Sequence, residues 1–265
     1  MPEHPIGVFD SGVGGLSILQ EVRRVLPGED LMYFADSQYC PYGEKTTAFI
    51  KERAVKITEF LLSKAAKLII VACNTASVSA LEDLRAEYPD VRFIGVEPAV
   101  KQGVLSTNNH KVGVLATGVT LTGERFYSLV NRYAEGSLVL TQPCHGLVER
   151  IESGEIEGKK IEEIVLACTA PLLESGVDVI VLGCTHYPFI RPIVEQIAGP
   201  AVKVIDTGAP VAKQTQRVLE KQQLLSAKET SGRECFFTSD DPEKVGPVIA
   251  RLWGGLGDGI TGVRD

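Results

Sequence analysis

Nine short apolar runs rich in Val, Ile and Leu are spread along the chain and alternate with longer stretches whose apolar residues recur at helical spacing. Continuous apolar runs read as strands buried on both faces, the habit of parallel sheets, and the intervening stretches then cover those faces. The runs fall at 6–10, 31–36, 68–73, 93–96, 112–117, 138–142, 179–184, 202–206 and 235–238, with helices expected at 15–26, 46–63, 77–88, 122–133, 159–175, 188–197, 209–222 and 242–253. In 46–63, Ala48, Phe49, Ala54, Ile57, Phe60 and Leu61 keep roughly to one face while Lys51, Glu52 and Lys56 fall elsewhere. Nine strands exceed one ordinary small sheet, so the pattern predicts an α/β protein of two similar domains, each a mostly parallel sheet flanked by helices. Pro and Gly punctuation at Gly95-Val96-Glu97-Pro98 and at Asp206-Thr207-Gly208-Ala209-Pro210 marks the breaks. The glycine-rich end, 254–265, is expected to be loosely ordered.

A chain of 265 residues with 44% hydrophobic and 23% charged residues can bury such cores. The net charge is −7 and no segment concentrates Lys or Arg, which argues against a nucleic-acid or anionic-membrane partner and for a small substrate. No apolar stretch approaches the roughly 20 residues that span a bilayer, and the start, Met1-Pro2-Glu3-His4-Pro5, has no basic or apolar leader, so the expected location is the cytoplasm. Six cysteines without CxxC pairs are expected to be reduced thiols there.

Two of the apolar runs end alike. Leu68-Ile69-Ile70-Val71-Ala72-Cys73 is followed by Asn74-Thr75, and Val179-Ile180-Val181-Leu182-Gly183-Cys184 by Thr185-His186-Tyr187-Pro188. In open α/β sheets ligands bind beyond the carboxyl ends of the strands, where helix N-termini offer unpaired N–H groups. A cysteine there, with polar neighbours able to hold a substrate carboxylate, can give or take a proton, and two opposed acid/base groups are what inversion of a carbon centre requires. A single cysteine closing a strand is ordinarily a small core residue; its duplication with polar neighbours weighs against that reading.

The loop Phe9-Asp10-Ser11-Gly12-Val13-Gly14-Gly15 joins a strand to a helix, but matches neither GxGxxG nor the GK[ST] ending of a phosphate loop. It suits Asp10 as a partner for a thiol proton and Ser11 with backbone amides as an anion cradle. Among His4, His110, His145 and His186, only His186 sits in a strand-end loop, two residues after Cys184. Cys184, His186, Cys144 and His145 lack the ligand spacings of known zinc sites, so no metal is expected.

On Phe9-Asp10-Ser11-Gly12-Val13-Gly14-Gly15-Leu16, Phe34-Ala35-Asp36-Ser37 with Pro41-Tyr42-Gly43, Ala72-Cys73-Asn74-Thr75-Ala76-Ser77, Gly95-Val96-Glu97-Pro98 and Leu182-Gly183-Cys184-Thr185-His186-Tyr187-Pro188, the chain resembles the bacterial glutamate racemases, which are cofactor-independent. The resemblance implies Cys73 and Cys184 as the two proton donors and acceptors, Asp10 serving Cys73, and Glu152 with His186 serving Cys184. Glu149, one helical turn before Glu152, is the competing carboxylate. It carries substrate contacts over to Ser11, Tyr42, Gly43, Asn74, Thr75, Thr117, Thr120 and Thr185, although Thr117 and Thr120 read equally as helix caps. It further implies one domain of 1–96 plus 208–265 and another of 97–207, an active site in the cleft between them, a homodimer, and D-glutamate supply for peptidoglycan. The chain lacks the N-terminal extension of family members activated by a cell-wall precursor, so such activation is not expected.

No lysine is marked for a pyridoxal Schiff base, so no cofactor is expected, and fixed donors would have to stabilise charge developing on the α-carbon. Two alternatives stay open: a superfamily racemase or decarboxylase acting on aspartate, a hydantoin or a malonate, which a substrate panel separates, and a two-lobed binding protein with inert cysteines, which thiol alkylation separates.

Overall fold

The computed structural model describes residues 1–134, 136–228, 230–256 and 259–263. Its elements begin with β1 (Ile6–Asp10), α1 (Leu16–Val25), β2 (Leu31–Ala35), α2 (Thr47–Ser63), β3 (Leu68–Val71), α3 (Asn74–Glu87), β4 (Phe93–Gly95) and α4 (Val100–Ser106). They continue through β5 (Lys111–Ala116), α5 (Gly118–Thr122), α6 (Glu124–Tyr133), β6 (Leu138–Pro143), α7 (Leu147–Glu152), α8 (Lys159–Glu174), β7 (Val179–Leu182), α9 (Arg191–Ala198) and β8 (Lys203–Ile205). The chain closes with α10 (Gly208–Lys221), β9 (Glu234–Thr238), α11 (Pro242–Trp253) and β10 (Ile260–Gly262). Two compact units result, Met1–Val96 with Gly208–Asp265, and Glu97–Thr207.

The first unit carries a six-stranded sheet in the order β10-β9-β2-β1-β3-β4, and the second a four-stranded sheet in the order β6-β5-β7-β8. Every pairing in both is parallel. The central strands β1, β2, β3 and β7 are buried along their whole length, which is why they read as unbroken apolar runs. One side of the first sheet packs Phe9, Phe34, Ile69 and Val71 against Ile50, Ile57 and Leu61 of α2 and Ala80 and Leu84 of α3. Each of the Val, Ile, Leu and Phe side chains contributes about 1.5–3 kcal/mol on burial. In the second unit Val100, Val112, Val114, Phe126, Val179 and Val181 form the corresponding cluster.

Within each unit the first four strands are laid down second, first, third, fourth: β2-β1-β3-β4 and β6-β5-β7-β8. The chain therefore leaves its first strand to one side and returns on the other, so a crevice opens between the carboxyl ends of β1 and β3, and again between those of β5 and β7.

Several expectations need correction. Ile260–Gly262, in the tail expected to be loose, forms an edge strand paired with β9, while residues 257, 258, 264 and 265 lie outside those described. The strands before the two cysteines end at Val71 and Leu182, so neither cysteine lies in a ladder. Helix α3 starts at Asn74 rather than at 77 because Cys73 caps it. The stretch expected as one helix at 188–197 is a 3-10 turn (Tyr187–Ile190) followed by α9, with Pro188 and Pro192 each lacking an amide N–H. The short helices α4 and α5 were not expected from the pattern. Not all the cysteines are free, because Cys144 and Cys168 form a disulfide.

Candidate active site

In the first unit the functional candidates gather at the β1/β3 crevice. Cys73 follows β3 and takes the N-cap of α3, where the backbone N–H of Ala76 donates to its sulfur at 3.4 Å. That donor sits at the positive end of a helix, so the contact strengthens when the sulfur becomes anionic. The thiol in turn donates to Ser11 Oγ at 3.7 Å. Asp10 ends β1 and is fully buried, and its Oδ2 accepts the backbone N–H of Gly15 at 2.8 Å. The bond from Ala72 N to Phe9 O, 2.8 Å, holds the two strand ends side by side. Gly15 is required by space rather than by its backbone angles: an added Cβ would come within 2.8 Å of Asp10 Cβ and 2.9 Å of the Tyr33 hydroxyl.

Asn74 and Thr75 occupy the first turn of α3, both buried. Neither Oδ1 nor Nδ2 of Asn74 has a hydrogen-bond partner among the described residues. Tyr42 and Gly43 lie in a 3-10 turn (Tyr42–Glu44) that follows the cis Cys40–Pro41 peptide. The Tyr42 hydroxyl donates to Asp36 Oδ2, and Arg53 of α2 donates to the same carboxylate through Nε (3.0 Å) and Nη2 (2.8 Å) while its guanidinium lies 4.3 Å from the Tyr39 ring centre. Burial, then the Asp36 charge, then that of Cys73, push the Tyr42 phenol well above its usual range. Asp36 was legible only as a letter in the Phe34-Ala35-Asp36-Ser37 string, and Arg53 gave no signal beyond one charged residue on the apolar face of α2.

In the second unit the equivalent crevice holds Cys184, Thr185 and His186 after β7, and Thr117 and Thr120 after β5. His186 Nδ1 lies 3.7 Å from Cys184 Sγ, and its Nε2 lies 2.5 Å from Oε1 of Glu152 at the end of α7. Glu149, on the same helix, is exposed, so Glu152 is the carboxylate that meets His186. Thr117 occupies the N-cap position of α5 without a side-chain capping bond; its hydroxyl lies 3.0 Å from that of Thr120. Tyr187, missed in the sequence beyond its place in a motif, is fully buried, and its phenol is pushed well above the usual range by burial and then by Cys184. Cys144, one of the residues weighed for zinc, has its sulfur bonded to Cys168, and His145 is exposed.

Each unit thus sets one buried thiol after its third strand, beside hydroxyl and amide groups, with a second polar group in contact with the sulfur. Such a site can exchange a proton with a bound carbon acid. Residues 6–215 match the family described as Asp/Glu/Hydantoin racemase. The chain belongs to that family and is an isomerase. Within it the chain stands with the glutamate racemases: it is 47% identical to that of Pseudomonas paraeruginosa over 250 residues, 94% of each chain, and 46% identical to that of Stutzerimonas stutzeri over the same length, 94% of each. Among solved structures it resembles glutamate racemase of Francisella tularensis in complex with D-glutamate (TM-score 0.87, 30% identity, 99% of this chain and 98% of that one). It also resembles the Escherichia coli enzyme in complex with L-glutamate and the activator UDP-MurNAc-Ala (TM-score 0.86, 31% identity, 98% of each chain). Among the described residues no helix is long and apolar enough to cross a membrane.

Proposed function

We propose that the chain interconverts L- and D-glutamate by passing the α-proton between two cysteines, Cys73 and Cys184, without a bound cofactor. The observation that carries this reading is the repetition of a strand-end thiol at the same topological position in both units, after the third strand of a second-first-third-fourth sheet. One thiolate removes the α-proton and the other thiol protonates the opposite face of the planar carbanion, with the roles exchanged in the reverse direction. An ordinary thiol titrates near pH ~8.5, so each needs a partner that takes its proton. Asp10 and Ser11 serve Cys73, and the His186–Glu152 pair serves Cys184.

The two unpaired polar atoms of the buried Asn74 amide support a role in holding substrate, since a buried amide left unbonded is costly. Ser11, Tyr42, Gly43, Thr75, Thr117, Thr120 and Thr185 complete the substrate contacts in this reading. The solved relatives bound to D-glutamate and to L-glutamate favour glutamate over the aspartate, hydantoin and malonate substrates of the wider superfamily. The product supplies D-glutamate for peptidoglycan, in the cytoplasm, from a homodimer.

The test is incubation of the protein with L-glutamate in D2O, without pyridoxal phosphate or metal, following loss of the α-proton by NMR and formation of the D-isomer by chiral chromatography. Deuterium incorporation with D-glutamate formation is expected. Absence of both from folded protein with Cys73 and Cys184 reduced would overturn glutamate as the substrate, and the same assay with aspartate, hydantoins and substituted malonates would then find the right one.

A further inference from the structure

The pair Cys144–Cys168 lies outside the thiols used above and joins the turn before α7, the helix that carries Glu152, to α8. Cys144 follows β6, and only His145 and Gly146 separate it from α7, whose last residue is Glu152. Cys168 lies on the buried side of α8, beside Val165 and Thr169. Their Cα atoms are 5.4 Å apart, and both side chains are buried. Helix α7 has six residues, far too few to hold itself without tertiary support. Leu147, Val148 and Ile151 supply that support on one face, and Gly146 enters the helix with φ +77. A covalent link two residues before that glycine therefore fixes where the helix begins, and so where Glu152 ends up against His186.

We infer that the Cys144–Cys168 disulfide is a redox-sensitive tether that positions Glu152 on His186. This rests on the racemase reading given above. The two cysteines are positioning residues: neither touches the proton in flight. Closing the tether oxidises both thiols to one S–S bond and releases two protons and two electrons. A low-molecular-weight disulfide such as glutathione disulfide accepts these and leaves as two molecules of glutathione. A reducing cytoplasm opens the tether by the reverse exchange.

The experiment compares the non-reduced wild type with Cys168→Ser, Glu152→Gln and the double variant Cys168→Ser/Glu152→Gln, by kcat/KM for each enantiomer. Peptide mapping after alkylation verifies the bridge in the wild type. Loss of the tether is expected to lower kcat/KM about tenfold in the wild-type background, the scale on which slight misplacement of a catalytic group acts. It should lower it no further once Glu152→Gln is present. Equal losses in both backgrounds, or no loss, would overturn the tether's action through Glu152. So would free thiols at both positions after treatment with glutathione disulfide. Should Cys168→Ser not fold, phosphine reduction of the wild type and reoxidation with glutathione disulfide gives the same comparison. Amide hydrogen exchange of α7 needs no substrate: it should speed up without the bridge, and unchanged exchange would sink the proposal even if glutamate were not the substrate.

Discussion

His186 presents one ring nitrogen to Cys184 and the other to Glu152, with Nδ1 3.7 Å from the sulfur and Nε2 2.5 Å from the carboxylate. When the Glu152 carboxylate is ionised it can only accept, so in that state Nε2 donates to it and the neutral ring turns its Nδ1 lone pair toward the thiol. The geometry matches that of a nucleophile, a base and a group that orients the base, which is what the proposed proton transfer at Cys184 calls for.

Glu152→Gln keeps an oxygen that can accept from His186 but removes the charge that stabilises a protonated ring. It is expected to lower kcat/KM for both enantiomers at least about tenfold, less than the roughly hundredfold or more that a positioned acid/base group itself supplies. Glu149→Gln, exposed on the same helix, should stay within about twofold, as surface changes do. Steady-state kinetics on the two variants checks the assignment; equal losses would remove Glu152 from its role.

On the proposed reading Cys73 both carries a proton and caps α3, and one substitution separates the two roles. Cys73→Ser removes the thiol and should abolish racemisation, yet serine is a better N-cap than cysteine, so the melting temperature should equal or exceed that of the wild type. Cys73→Ala removes the cap as well and should cost about 1 kcal/mol. Cys184→Ala should also be inactive with its fold retained. Activity assays paired with thermal melts read both effects.

The two buried phenols should respond in opposite ways to loss of their hydroxyls. Tyr42 donates to the buried Asp36 carboxylate, so Tyr42→Phe is expected to cost about 1–3 kcal/mol. The Tyr187 hydroxyl has no hydrogen-bond partner among the described residues, so Tyr187→Phe should be neutral or stabilising. Both phenols have folded-state values raised above the ordinary value near ~10. At higher pH the unfolded chain releases these protons while the folded chain keeps them, so the contribution is full below pH ~10 and is lost as pH climbs through the raised values. Urea titrations near pH ~8 and ~11 should show a smaller alkaline loss in Tyr187→Phe than in the wild type.

Arg53 and Asp36 form an ion pair whose side chains are 4% and 0% exposed. Arg53→Met leaves a buried carboxylate with its charge uncompensated and is expected to destabilise by about 3–5 kcal/mol, while Arg53→Met/Asp36→Leu should recover most of the loss. Denaturant unfolding of the two variants measures the difference.

The central strands were legible because burial on both faces makes every residue apolar: Ile6–Asp10 was found to the residue. The edge strand Ile260–Gly262 was not, since its partly exposed residues carry no apolar run and glycines flank it. The thiols at the strand ends could be read from their polar neighbours, but not the cap that starts α3 at Asn74, because cysteine is an uncommon N-cap. Cys144 and Cys168 lie 24 residues apart, and the packing of α8 on β6 and α7 brings them together; spacing alone cannot report such a pairing. Arg53 was hidden for the same reason, since its partner Asp36 comes from another element.

The matching strand orders carry a consequence for stereochemistry. On the proposed reading a unit with one strand-end thiol reaches the α-carbon from one face only, and can only return a proton to the face it came from. That chemistry washes deuterium into a substrate while preserving its handedness. On the proposed reading the second sheet, built to the same second-first-third-fourth plan, turns exchange with retention into inversion, so the duplicated architecture itself decides that both mirror images leave the enzyme.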